Sequence, residues 1–122
     1  MAANTISLSS VSGTPQTEVE VVVSLDNTDA ITALELNIPL GEYLSYVDGS
    51  TVLASSRSNG HLLTATQVQQ ELRICVYSLN LSALQGNSGE LLSFRLKLGN
   101  EPATYTLTPS VILSDARGQS LD

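Results

Sequence analysis

Apolar side chains recur at every second position in four separate stretches of this 122-residue chain, and that period constrains its fold more than any other feature. In "EVEVVVSL" Val19, Val21, Val23 and Leu25 share one face, with Glu18, Glu20, Val22 and Ser24 on the other. In "ALELNIPL" Leu34, Leu36, Ile38 and Leu40 oppose Glu35, Asn37 and Pro39. In "ELRICVYSL" Leu72, Ile74 and Val76 oppose Arg73, Cys75 and Tyr77, and in "LLSFRLKL" Leu92, Phe94, Leu96 and Leu98 oppose Ser93, Arg95 and Lys97. A period of two is that of a half-buried strand, since successive side chains of a pleated backbone point to opposite faces. Pro39 has no amide hydrogen to give, so it marks an edge, a bulge or an unpaired amide at its end of the strand.

Weaker strands are expected at "TISLSSV", "TVLAS", "HLLTATQVQ" and "TYTLTPSVIL", divided by turn formers such as Ser12-Gly13, Asp48-Gly49, Asn59-Gly60 and Gly99-Asn100. The one helical candidate is "LNLSALQG", a single turn capped by Asn80 or Ser82 and ended by Gly86. The chain is therefore expected to be all-β, a single-domain jelly-roll sandwich of about nine strands. Residues 5–122 form the domain, and residues 1–4, "MAAN", read as an added start segment or a disordered N-terminus. With one Phe, four Tyr and no Trp, the core must be aliphatic. The N-terminus lacks a charged segment followed by an apolar run, and no stretch reaches the length needed to span a bilayer, so direct membrane insertion is not expected.

Twelve acidic and five basic residues give a formal net charge of −7, which repels phosphate backbones and argues against a nucleic-acid partner. The single Cys75 cannot bridge within the chain or form a thiolate metal site by itself. His61, directly after the Asn-Gly turn, has no nucleophile and orienting acid near it in sequence, and reads as a turn or strand-edge side chain in water. No spacing of carboxylates marks a glycosidase pair, so the chain reads as non-catalytic. "LDNTDA" offers Asp26, Asn27 and Asp29 as oxygen ligands, but these residue types also favour turns, and the fuller calcium-loop spacing is missing. No cofactor is expected, with calcium as the alternative. "NLS" at residues 80–82 is a glycosylation triplet.

Read in order, "GTPQTEVEVVVSLDNTDAITALELNIPL", "QELRICVYSLNLSALQGNSGELLSFRLKL" and "YTLTPSVILSDARGQSLD" resemble the strands of a bacterial cellulosome-type cohesin domain, over residues 5 to 122. The chain departs from the usual pattern at "LNIPLGEYLSYVDGS", where Pro39-Leu40 stands in place of a Tyr-Asp pair. The resemblance implies a module that binds the dockerin of another protein, carried in a larger secreted or cell-surface bacterial protein. It further implies a binding sheet built from the third, fifth, sixth and eighth strands, matched here to "ALELNIPL", "HLLTATQVQ", "ELRICVYSL" and "LLSFRLKL". The outward residues of that sheet are then Glu35, Asn37, Arg73, Cys75, Tyr77, Ser93, Arg95 and Lys97, of which all but Cys75 are candidate partner contacts. Tyr77 and Arg95 are the expected anchors, because Tyr and Arg most often carry such contacts. Repulsion between Arg95 and Lys97 would be offset by the partner or by a facing acid such as Glu35. Two other functions are compatible with the same sandwich. One is a carbohydrate-binding module that takes a polysaccharide on Tyr43 and Tyr46, and the other is a structural spacer.

Overall fold

The computed structural model describes residues 4–99, 103–105, 107–115, 117, 120 and 121, with backbone alone for 103–105, 120 and 121. Among the described residues there are twelve strands and no helix: β1 (Asn4–Leu8), β2 (Val11–Gly13), β3 (Glu18–Asn27), β4 (Ala33–Pro39), β5 (Leu44–Tyr46), β6 (Val52–Leu53), β7 (Leu62–Val68), β8 (Glu71–Tyr77), β9 (Glu90–Leu98), β10 (Ala103–Tyr105), β11 (Ser110–Ser114) and β12 (Ser120–Leu121). Pairing is antiparallel throughout. One five-stranded sheet runs β1-β3-β9-β5, with β6 also on β9, and the other runs β12-β11-β4-β8-β7; β10 and β2 form a separate ribbon. The excess over nine strands consists of pieces of two or three residues.

The four alternating stretches are the four longest-buried strands, and their apolar faces meet between the sheets. Val21, Val23 and Leu25 from β3 and Phe94 and Leu96 from β9 lie fully buried opposite Leu36 and Ile38 from β4 and Leu72 and Ile74 from β8. A bulge between Val23 and Ser24 slips the β3–β9 register, so that Val23 faces Leu92 while Ser24 faces Glu90. The extra residue, Leu91, is buried together with its neighbour Leu92, which strict alternation does not anticipate. Pro39 ends β4 paired to Glu71 on β8, and β11 stops short of it at Ser110, so its missing amide hydrogen costs no ladder bond.

The structure corrects several expectations. Asn4, assigned to the N-terminal segment, is the first residue of β1 and binds Asp29 through its side-chain amide, with Oδ1 accepting from the amide of Thr28; residues 1–3 lie outside the described residues. "LNLSALQG" forms no helix, because Ser78 and Asn80 satisfy the turn with their side chains: the Ser82 amide donates to Ser78 Oγ, and the hydroxyls of Ser78 and Ser82 donate to Asn80 Oδ1. "TYTLTPSVIL" is two strands rather than one, split before Ser110.

One end of the sandwich is closed by Arg57, which sequence reading did not single out. Its side chain is 2% exposed. Nη1 donates to the carbonyls of Leu25 (2.8 Å) and Ser88 (3.2 Å), Nε to that of Gln85 (2.5 Å), and Nη2 to Asn27 Oδ1 (2.5 Å). Burial lowers its pKa and the nearby Asp26 raises it. The guanidinium fork thus joins the end of β3 to the carbonyls of Gln85 and Ser88 in the β8–β9 connection, whose Asn87 and Gly89 carbonyls accept from β3 amides. Arg57→Met should leave these acceptors without a donor and destabilise the protein by about 3 kcal/mol or more in urea unfolding, and Arg57→Lys should recover only part of it, since an ammonium lacks the fork.

Candidate functional site

The core consumes one face of each sheet, which leaves two outer faces with different chemistry. On the β1-β3-β9-β5 sheet, the outward side chains of the central pair are Glu18 and Glu20 on β3 against Lys97 and Arg95 on β9, in direct register. Arg95 Nε lies 3.4 Å from Glu18 Oε1. The two neighbouring basic residues therefore face two acids of their own sheet, one of which, Glu18, pairs with Arg95, and Glu35 is not among them. This corrects the expected binding sheet. Ser93, Arg95 and Lys97 sit on the sheet opposite the one that carries Glu35, Asn37, Arg73 and Tyr77, so the seven candidate contacts do not share a face.

The strand that completes the β4-β8-β7 sheet is β11. Reading across β11, β4, β8 and β7, the outward residues fall in rows. Ile112, Glu35, Cys75 and Thr64 form one, and Ser110, Asn37, Arg73 and Thr66 the next. Tyr77 with Leu62 and Glu71 with Val68 flank them. Ile112 is 48% exposed, Leu62 42%, Val68 40% and Tyr77 36%. Four large apolar side chains thus stand in water on one flat sheet, and Leu79 (81%) and Leu81 (60%) follow Tyr77 in the adjoining loop. Leu62 and Tyr77 adjoin in register while Val68 stands at the far end of β7, and exposed apolar side chains gathered on one face mark an interaction site more often than single ones do. Leu81 has a positive φ of 59°, an arrangement a branched side chain adopts only against resistance, and the Ser78–Asn80–Ser82 bonds hold it there.

Charge on this face is sparse. Arg73 donates to Glu71 Oε1 at 2.9 Å, a partly exposed pair on one strand. Glu35 is half-buried, and the Cys75 thiol donates to its Oε1 at 3.7 Å. Burial first, then the Glu35 charge, push the Cys75 thiol up, while the Thr64 hydroxyl works the other way. Glu35 and Cys75, together with Ala33, Tyr77, Ile112 and Ser114, line a depression of about 360 Å³.

The remaining candidates resolve as structural groups. His61 is 9% exposed rather than in water: Asn59 N–H donates to Nδ1 (3.1 Å), which makes Nε2 the donor to the Thr32 carbonyl (3.0 Å). Asn27 is engaged with Arg57 and with the Asp29 carbonyl, Asp29 accepts from Asn4, and Asp26 accepts from the Gly89 amide (3.3 Å), so all three side chains of "LDNTDA" take part in local hydrogen bonds. Among the described residues no three metal-ligating side chains converge. Tyr46 is buried edge-on against Phe94, ring centroids 6.4 Å apart, with its hydroxyl on Thr51. Buried in this way, it offers no stacking face beside the exposed Tyr43, the platform that the alternative reading of a carbohydrate-binding module draws on.

No family model matches the sequence, and no curated protein matches it. Solved structures do. The sixth cohesin of scaffoldin B from Acetivibrio cellulolyticus, solved with a Cel5 dockerin mutant, is 14% identical over 96% of this chain and 89% of that one, with a TM-score of 0.71. The OlpA cohesin of Clostridium thermocellum, solved as a type I complex with the dockerin Doc918, is 12% identical over 98% and 91%, TM-score 0.71. A non-cellulosomal cohesin from the archaeon Archaeoglobus fulgidus is 14% identical over 95% and 83%, TM-score 0.64. The chain has the cohesin fold in a strongly diverged sequence.

Two expectations follow for Cys75. Its alkylation by iodoacetamide should follow a pH profile displaced upward from that of a free cysteine, because only the thiolate reacts. Glu35→Gln should move the profile back down and Thr64→Val further up; the opposite order would contradict the contacts described.

Proposed function

We propose that this chain is a non-catalytic interaction module that binds a dockerin-type partner on the outer face of the β11-β4-β8-β7 sheet. The observation that carries the reading is the set of exposed apolar side chains Leu62, Val68, Tyr77 and Ile112 on that one face. The fold supports the class of partner, since the similar cohesins of Acetivibrio cellulolyticus and Clostridium thermocellum were solved with dockerins bound. Of the residues marked in sequence, Glu35, Asn37, Arg73 and Tyr77 belong to the proposed surface, and Ile112, Leu62 and Val68 join them. Arg95 drops out as an anchor and leaves Tyr77 with Ile112 as the central pair. Ser93 and Lys97 drop out with it.

The module would work outside the cell or on its surface, as part of a larger secreted protein. Nothing in the binding face calls for a cofactor, so the melting temperature should be the same with calcium and with chelator; a rise with calcium would point to a bound ion.

Binding is tested by calorimetry against a panel of dockerin modules, starting with the Cel5 dockerin and Doc918. Micromolar or tighter binding of at least one is expected, and binding of none contradicts the proposal. Ile112→Arg and Tyr77→Ala should each weaken that complex by tenfold or more, since truncating or blocking a central contact costs about 1.4 kcal/mol or above. Arg95→Glu with Lys97→Glu, on the opposite sheet, should leave affinity within about twofold.

A further inference from the structure

Within the proposed face, Glu35 stands apart from the other charges. Arg73 has its counter-ion in Glu71, and across the sandwich Arg95 has Glu18. Among the described residues no basic side chain pairs with Glu35, which accepts from the weakly donating thiol of Cys75. That thiol takes Oε1, and Glu35 is itself among the residues that line the depression. The walls around it are Ala33, Tyr77 and Ile112, which suit an aliphatic chain, and the volume of about 360 Å³ admits one side chain with room for water.

We infer that this depression is a lysine-binding pocket, in which an inserted lysine of the protein partner lays its methylene stem against Tyr77 and Ile112 and sets its ammonium on Glu35. The inference rests on the proposed binding face. Charge complementarity selects a cation, and a carboxylate with one oxygen already engaged favours the point charge of an ammonium over a guanidinium fork that seeks both oxygens. The stem is what the apolar walls recognise, since a long amphipathic side chain buries its methylenes while its charged head keeps polar company. In a half-buried setting such a pair is screened less by salt than one on open surface. Recognition on this face therefore combines apolar contact from Leu62, Tyr77 and Ile112 with one directional charge.

The pocket is tested without a partner by titrating N-acetyl-lysine methylamide into the isotopically labelled full chain and following amide chemical shifts. N-acetyl-norleucine methylamide serves as the neutral control of nearly the same shape. The lysine probe should move the resonances of Glu35, Cys75, Tyr77 and Ile112 with an affinity on the order of millimolar, in keeping with a ligand of its size. The norleucine probe should bind at least tenfold more weakly, and Glu35→Gln should reduce lysine binding by a similar factor. Equal binding of the two probes to the wild-type chain, or no shifts in this region, overturns the inference whether or not the variant folds well. Should a dockerin bind through Ile112 and Tyr77 while the lysine probe does not, the pocket alone is wrong. Should the lysine probe bind and no dockerin do so, the pocket stands and the partner class is wrong.

Discussion

Each long strand of this sandwich gives alternate side chains to one aliphatic layer, and two sheets close that layer from either side. Val21, Val23, Phe94 and Leu96 on one sheet and Leu36, Ile38, Leu72 and Ile74 on the other are removed from water altogether. Burying side chains of this size stabilises by roughly 1.5–3 kcal/mol each, a sum large enough to fix register, because a slip of one residue would turn every one of them outward. Once register is fixed, the identity of every outward residue is fixed as well. The core thereby decides which side chains can meet a partner, although it touches none.

The two outer faces differ because their charges are distributed differently. On the β3–β9 pair, Glu18 and Glu20 stand in register with Lys97 and Arg95, and Arg95 pairs with Glu18. The β11-β4-β8-β7 sheet has few charges, and its exposed positions carry Ile112, Tyr77, Leu62 and Val68. A half-apolar surface with a carboxylate that lacks a basic partner gains from being covered; a solvated face where opposite charges already stand in register has little to gain. Arg57 acts on the same surface indirectly, since it anchors the connection that leaves β8 through Leu79 and Leu81.

The core and the all-β class were legible in the sequence because alternation depends only on the local chain. Sheet membership was not, since it depends on which distant strands pair. Family resemblance groups "LLSFRLKL" in one sheet with "ALELNIPL" and "ELRICVYSL", yet its Arg95 and Lys97 match Glu20 and Glu18 of "EVEVVVSL" in antiparallel order, a cross-strand signal present in the sequence itself. β11 was hidden inside "TYTLTPSVIL", where the strand resumes only after Pro109, and Ile112 was missed as a consequence. Arg57 had no sequence signature at all, because its four acceptors come from residues about thirty positions away on either side, and most of them are backbone carbonyls. His61 and Tyr46 were misplaced for a related reason: a polar tip gives no indication from sequence of whether a buried acceptor waits for it.

Amide hydrogen exchange on the chain, free and saturated with a bound dockerin module, tests the central claim most directly. Binding on the proposed face predicts added protection at the loop from Ser78 to Ser82, at the sheet edge at β7 and along β11, with chemical-shift changes running across β4 and β8, while β3, β5 and β9 stay as they are in the free chain. Protection or shifts concentrated on Glu18, Glu20, Arg95 and Lys97, with β7 and β11 unchanged, would contradict it.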